Sequence, residues 1–579
     1  MERYMLALSG GGFRAALFHI GTLAALAERG VLHRVECLST VSGGSIIGAC
    51  YYLKVKRLLE GHHPGFPRPT EEAYLELVKE LEREFLAAVQ ENLRLRLFDS
   101  PLANFMMARR DRSRTGRLAD LIDAHFLAPI AGRRNLRLKE IHIHPPGSPE
   151  RFDVRRYNRS HPFKIPILII NATCLNTGHP WHFTGADLGE PEPIRPCERE
   201  IDTNIHLPQI SLDGIYKSGP QKGRPVPEAA KRRLDQIRLA DAVAASAAVP
   251  AIFPPLELSD LYQTPRGEEI VVELADGGVF DNLGVDALAR EEAASGKGAF
   301  WIVSDGSGQL EDERQLDRLA LPVAQRATSV MMDKIRQESS CRLKREKGEK
   351  FCQIHLRQTF PATDRFPNLP GPVDRPGGLV YRLSNLRTDL DSFTDAEAYT
   401  LMYDGYGLLQ SRFDPQNWPN WQEKARWAFL EVRELLKRDE RRCWLSRQLG
   451  IGKHRLLKPL RLAFAVGDPP QKIVATLVSA VLLFASWAVV WLSLEGFKLA
   501  LSAMSPGREA LLALLMLFPL SIRVLLPMRL WLRRHLWWLS GILTGLFLSL
   551  TGLAFRFWRL LGDRLFLRLG KIPQNRRAG

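Results

Sequence analysis

Twice near its start, the chain runs from a short apolar stretch into glycines and then at once into helical periodicity. Tyr4–Ser9 leads into Gly10-Gly11-Gly12, and Ala15–Arg29 carries helical spacing up to Gly30, a natural C-cap. Val35–Thr40 leads into Ser42-Gly43-Gly44, and Ser45–Leu59 follows as a second helix. A strand that turns this sharply into a helix is the repeating unit of an α/β sheet. Further strands are predicted at Lys164–Leu175, Val271–Ala275 and Phe300–Ser304. The first of these is almost continuously apolar, as in a sheet covered on both faces. Together they predict an α/β fold around a mostly parallel sheet over residues 1–310.

The rest of the chain divides by composition. Residues 66–135 read as a polar, mostly helical insertion or cap, with a basic patch at Arg109, Arg110, Arg112, Arg114 and Arg117. Residues 311–450 read as a charged helical extension. Within it, Lys334–Lys350 reads as a solvated helix face and, with the 66–135 insertion, as a candidate lid or membrane contact. With 579 residues, 45% hydrophobic and 25% charged, the chain is neither disordered nor fibrous. The seven cysteines are scattered, without a C-x-x-C pair, which points to a reduced compartment rather than a disulfide framework. No signal peptide precedes the first strand.

The formal charge of +16 is concentrated at one end: residues 451–579 hold 18 Lys and Arg against 4 Asp and Glu, a net +14. These charges bracket long apolar runs, the pattern of membrane flanks rather than of a nucleic-acid groove. Ile473–Leu494 offers 22 residues without a charge, and Leu536–Phe555 another 20. Ala510–Ile522 between them is shorter, at 13. Residues 451–579 are therefore expected to form two or three transmembrane helices. Lys453, Arg455, Lys458, Arg461 and Lys472 precede the first and put the large domain on the cytoplasmic side. A basic tail and a basic loop at Arg529, Arg533 and Arg534 leave the C-terminal orientation open.

Three constellations carry chemistry. Ser9-Gly10-Gly11-Gly12-Phe13-Arg14 follows a strand and opens a helix, so that backbone N–H groups can converge on an anion. Thr40-Val41-Ser42-Gly43-Gly44-Ser45 has the sharp strand-to-helix turn that exposes a nucleophilic serine. Thr40 breaks the usual G-x-S-x-G spacing, and Ser45 is a rival nucleophile. Asp276-Gly277-Gly278 follows a strand that delivers a carboxylate to the sheet's edge. Each has a plainer reading as a tight turn or a helix cap.

Taken together, S-G-G-G-F-R at 9–14, V-S-G-G-S at 41–45 and A-D-G-G at 275–278 resemble the patatin-like phospholipase family. I-I-N-A-T-C-L-N-T-G at 169–178 and A-A-S-A-A-V-P-A-I-F-P-P at 244–255 resemble its supporting stretches. The resemblance covers roughly residues 1–310 and implies a three-layer α/β/α sheet. It implies Ser42 as nucleophile, Asp276 as base, Gly10, Gly11 and Gly12 as the oxyanion hole, and Arg14 as the residue that fixes that loop. Thr40 departs from the family's usual Gly, and Ala15 stands where Gly is common.

A Ser–Asp dyad is chemically coherent, because a desolvated carboxylate can take the hydroxyl proton as attack proceeds. A Ser-His-Asp triad using His19, His179 or His182 is the alternative. His142 and His144 alternate on an expected strand, without the further ligands of a metal site. Ser307 reads as part of an ordinary polar turn. The expectation is a membrane-anchored serine acyl hydrolase acting on membrane lipid, with no cofactor, no metal and no nucleic-acid partner. An acyltransferase with the same dyad and a non-catalytic scaffold are the rivals. Oligomeric state is left open.

Overall fold

The protein is described by a computed structural model over residues 3–572, apart from 101–112, 150–152, 195–199, 203, 251, 265, 309, 311–319, 372–376, 455–456 and 503–551. A ten-stranded mixed sheet organises the chain. Its strands are β1 (Tyr4–Leu8), β2 (Val35–Val41), β3 (Ile167–Cys174), β4 (Pro180–Phe183), β5 (Asp187–Gly189), β6 (Ile210–Ser211), β7 (Leu256–Gln263), β8 (Glu269–Asp276), β9 (Phe300–Asp305) and β10 (Phe351–His355). The helices used below are α1 (Gly12–Glu28), α2 (Gly43–Leu59), α3 (Glu71–Gln90), α4 (Leu239–Ser246), α5 (Val285–Ser295), α6 (Ala320–Lys347), α7 (Asp395–Phe413) and α8 (Pro469–Ser502).

The order β10-β9-β1-β2-β3 is parallel throughout. Beyond β3 the sheet turns antiparallel through β4, β5 and β6. The β7–β8 hairpin joins it through an antiparallel pairing of β8 with β3. The sheet is thus mixed, less parallel than the sequence predicts: β4, β5 and β6 are only four, three and two residues long, and β7 alternates polar and apolar residues, so no apolar run announces them.

Alternation along β1 divides the core. Leu6 and Leu8 face one apolar cluster with Phe13, Phe18, Ile46, Phe85 and Leu401 from α1, α2, α3 and α7. Met5 and Ala7 face another with Val285 and Leu288 of α5 and Leu343 of α6. Successive side chains of a strand point to opposite faces, so both faces of this sheet are covered by helices.

The region after residue 310 contributes directly to this core. β10 extends the sheet beside β9, and α7 lies along α1. The two helix backbones approach closely: a Cβ on Gly21 would come 1.9 Å from the Met402 carbonyl oxygen, and one on Gly405 2.3 Å from that of Phe18. Residues 71–90 likewise pack inward, with Phe85 edge-on to Phe13 at 6.2 Å.

Two sequence expectations fail locally. His142 and His144 lie in extended chain outside any strand, because Pro145 and Pro146 follow and cannot donate to a ladder. The C-terminal spans are not found: among the described residues, no helix is long and apolar enough to cross a membrane. Ile473–Leu494 falls on α8, whose side chains are described as far as Phe484 and at Trp491. Ala510–Ile522, Leu536 to Thr551, Arg109, Arg110 and Arg112 lie outside the described residues.

Candidate active site

Ser42 ends β2 and begins α2 with φ 51° and ψ −120°. A serine in this left-handed region is strained, as expected of a residue held on a tight strand-to-helix turn. Its N–H donates to the Ser246 hydroxyl at 2.9 Å. The turn also needs bare backbone, since a Cβ on Gly43 would come 2.0 Å from the Gly12 carbonyl oxygen. Thr40 is accommodated by Gly48, where a Cβ would meet the Thr40 methyl at 2.4 Å.

Strand register accounts for the meeting of Ser42 with Asp276. Val41 pairs with Asn171 on β3, and Asp276 pairs with the next residue, Ala172. β2 and β8 therefore occupy one edge of β3 in turn, running toward each other, and their ends converge. The carboxylate arrives by an antiparallel approach rather than at the carboxyl edge of a parallel strand. The end of α4 and the residues just after it tie the two ends together: Asp276 N–H donates to the Ala248 carbonyl at 3.0 Å, and Gly277 N–H to that of Ser246 at 3.3 Å.

Ser42 and Asp276 are both buried, at 7% and 3% exposure. Burial raises the Asp276 carboxyl from 3.8 to about 6, against hydrogen bonds from the Gly278 N–H and the Ser42 side chain. The Gly278 bond is 2.7 Å. A hydroxyl bonded to a poorly solvated carboxylate has a base in reach for its proton.

The glycine loop borders this pair. A Cβ on Gly10 would lie 3.2 Å from the Cβ of Ser42. Gly10 spends its N–H on the Asn282 carbonyl at 3.0 Å, and Phe13 spends its own on Asp389 at 3.2 Å. Gly11 and Gly12 stand between them at the start of α1, where the first N–H groups of a helix lack intrahelical acceptors. The helix begins here rather than at Ala15, so the glycines themselves form its first turn. Arg14 is buried and donates to the Ser384 and Leu386 carbonyls at 2.9 and 2.7 Å. Burial holds its guanidinium at about 10.

The same segment carries an ionic cluster, half-buried at Arg94 and Asp389 and buried at Arg387, Asp391, Glu397 and Lys458. Arg94 binds Asp389 at 2.8 Å. Arg387 binds Asp391 at 3.0 Å and Glu397 at 2.7 Å, and Lys458 binds Asp391 at 2.6 Å.

The other candidates have structural partners. Ser45 is fully buried and bonds the hydroxyls of Thr40 at 3.1 Å and Ser246 at 2.8 Å. His19 holds the Ser304 hydroxyl at 2.8 Å and the Ser9 carbonyl at 3.0 Å, and burial lowers it to about 4. His182 is buried on β4 and also lowered to about 4. His179 is engaged with Glu190 and Asp202. Ser307 bonds Asp305, which in turn binds Arg336 at 3.0 Å. Sequence reasoning does not single out Ser246 or Asn171, whose amide donates to Ser39 and Thr40 at 2.9 and 2.8 Å. Each is a polar residue inside an otherwise small or apolar stretch, which was the available signal.

Residues 6–289, just under half of the chain, match the family model for patatin-like phospholipase, which supports a lipid hydrolase. No curated protein matches the chain. Among solved structures, the chain is similar to human GIVD cytosolic phospholipase A2 at 12% identity and a TM-score of 0.31, covering 53% of this chain and 43% of that one. It is also similar to VipD from Legionella pneumophila at 14% identity and a TM-score of 0.27, covering 99% and 88%. Both scores are too low to inform the site. The chain spans less than half the length of the human protein.

Proposed function

We propose that the protein hydrolyses acyl esters of membrane lipids, phospholipids among them, through an acyl-Ser42 intermediate with Asp276 as general base. The observation that carries this reading is the register on β3, which sets a strained serine against a buried carboxylate of raised pKa. As Ser42 Oγ attacks the ester carbonyl, its proton passes to Asp276. The oxyanion is met by the Gly11 and Gly12 N–H groups but not by that of Gly10, which Asn282 holds, and Arg14 holds the loop from behind. Loss of one such donor costs about 3 kcal/mol of barrier. Asp276 returns the proton to the leaving alcohol. Water then attacks the acyl-serine, giving its proton to Asp276, and free acid is released as Ser42 regains its hydrogen.

Apolar side chains exposed near the site support a lipid substrate. Val330, Met331 and Ile335 of α6 are exposed, and the same helix brings the Met332 methyl 3.1 Å from a Cβ built on Gly278. The C-terminal region supports residence at a bilayer. On α8, Ile473, Leu477, Val481 and Phe484 are exposed at 62, 61, 56 and 65% along one side of the helix. Such a stripe with basic flanks is stabilised by lipid. A tethered site then meets its substrate at high effective concentration.

The test is fluorophosphonate labelling of the detergent-solubilised chain, followed by product analysis on phospholipid vesicles. Labelling is expected to vanish in Ser42→Ala, persist in Ser45→Ala and weaken in Asp276→Asn, with free fatty acid as product. Equal labelling of Ser42→Ala overturns the nucleophile, and transfer of acyl to an added alcohol in place of acid release overturns hydrolysis.

A further inference from the structure

We propose that His179, Glu190 and His206 bind a divalent transition-metal cation of the zinc class, at the turn joining β3 to β4. Their ligand atoms lie within 4.8 Å of one another. The three come from separate parts of the chain: the β3–β4 turn, the end of β5, and the segment that leads to β6.

The ring nitrogens divide into an outer and an inner pair. The outer His179 Nε2 faces Asp202 Oδ2 at 2.5 Å, and the outer His206 Nε2 faces the Pro191 carbonyl at 3.1 Å. A carbonyl accepts only, so His206 carries its proton on Nε2. Asp202 draws the His179 proton to Nε2 in the same way. Both Nδ1 atoms are then left to face one oxygen: Glu190 Oε2 lies 2.8 Å from that of His179 and 4.0 Å from that of His206. A proton on His179 Nδ1 bridges the shorter contact when no metal is bound, and a divalent cation would take its place with both Nδ1 lone pairs as ligands. Outer nitrogens held by a carboxylate and a carbonyl, with inner nitrogens converging beside a carboxylate, is the pattern of histidine metal ligands.

The carboxylate calls for the same partner. Glu190 is fully buried. Thr177 Oγ1 and the Leu207 N–H donate to it at 2.6 and 2.8 Å, and its ion-pair partners among the described residues are the two histidines. A buried carboxylate is stable only when its charge is met. Two histidines and one carboxylate form a donor set suited to zinc, with a fourth position for water. Zinc bonds of about 2.0–2.1 Å put tetrahedral ligands about 3.3 Å apart, so the shorter contact opens and the longer one closes, each by less than ~1 Å.

The cation would pin the end of β5 and the segment after it to the β3–β4 turn. Pro180, next to His179, pairs with Thr173, whose hydroxyl donates to the Asp276 carbonyl at 2.9 Å. The role is structural, and its test does not use turnover.

The full chain, purified in detergent and stripped with a chelator, is titrated with zinc alone. Affinity is read by competition with a chromophoric chelator, stoichiometry by elemental analysis, and stability by thermal melting. One zinc per chain is expected, with a melting midpoint that rises as zinc is added. His206→Ala is expected to weaken binding by more than ~100-fold, and Asp202→Asn by about 10- to 100-fold. His62→Ala, on an exposed histidine, should bind as wild type does. His206→Gln, at a half-buried residue, carries the test if an alanine variant does not fold. The proposal is overturned if the wild-type chain holds no zinc, or if these ligand variants bind it equally well with native circular dichroism.

Discussion

Two buried aspartates, Asp276 beside Ser42 and Asp391 two residues past the Asp389 that braces Gly12 and Phe13, have surroundings that drive them in opposite directions. Asp276 has neutral donors for company, and burial lifts its carboxyl to about 6. Asp391 is as deeply buried, but Lys458, Arg387 and Arg94 outweigh the burial and hold it well below the usual carboxylate range. One region keeps a carboxylate able to take and return a proton near neutral pH. The other keeps its carboxylate permanently charged and uses it as a fastening. Burial alone does not make a carboxylate a base; the absence of a cation beside it does.

Asp276→Asn is the sharpest probe of that contrast, because its two effects should have opposite signs. Turnover should fall by at least ~10³-fold, as for loss of a catalytic base. Stability should rise. The folded carboxyl near 6 lies above its ordinary 3.8, so the folded state binds the proton more tightly and the wild-type chain loses stability as pH rises between those values. Removing the charge recovers up to roughly 3 kcal/mol at pH 8 and almost nothing at pH 3. Denaturant melts of both proteins at the two pH values check this. A destabilised variant at pH 8 would break the comparison.

Arg387→Met should do the reverse, costing about 3–5 kcal/mol by leaving Asp391 and Glu397 buried with too little positive charge. Urea unfolding measures it, and a loss under about 1 kcal/mol would show that the cluster fastens nothing. For the wild-type chain, kcat/KM should climb with pH and level off above about 6, since Asp276 must be ionised to act as base. A pH–rate profile locates the bend. Ser45→Ala should have the smallest effect, about 1 kcal/mol of stability for its two buried hydrogen bonds, with fluorophosphonate labelling intact.

The residues of the proposed dyad were legible as candidates because each is marked locally. Ser42 and Asp276 sit where an apolar strand stops at glycines, and the strands that carry them were readable from their runs. The direction in which β8 meets β3 was not legible, since pairing depends on partners far along the chain. β10 and α7 read as parts of a separate extension because nothing near Phe351 or Gly405 shows that they complete the sheet and cover α1. His179, Glu190 and His206 escape for the same reason: only the folded hairpin brings them together. The uncharged run at Ile473–Leu494 was legible as a helix, and it lies on α8. Its basic flanks suggested a crossing that no described helix provides.

The order of strands has a consequence for synthesis. β1 lies between β2 and β9, and the back of α1 is covered by α7. A nascent chain that has emerged only through the phospholipase-like segment therefore carries a central strand with one bare edge and a helix with an uncovered apolar side, the state in which chains misassociate. Gly12 and Phe13 gain their brace only when Asp389 arrives. The loop that borders Ser42 is thereby completed late, only once residue 389 has left the ribosome.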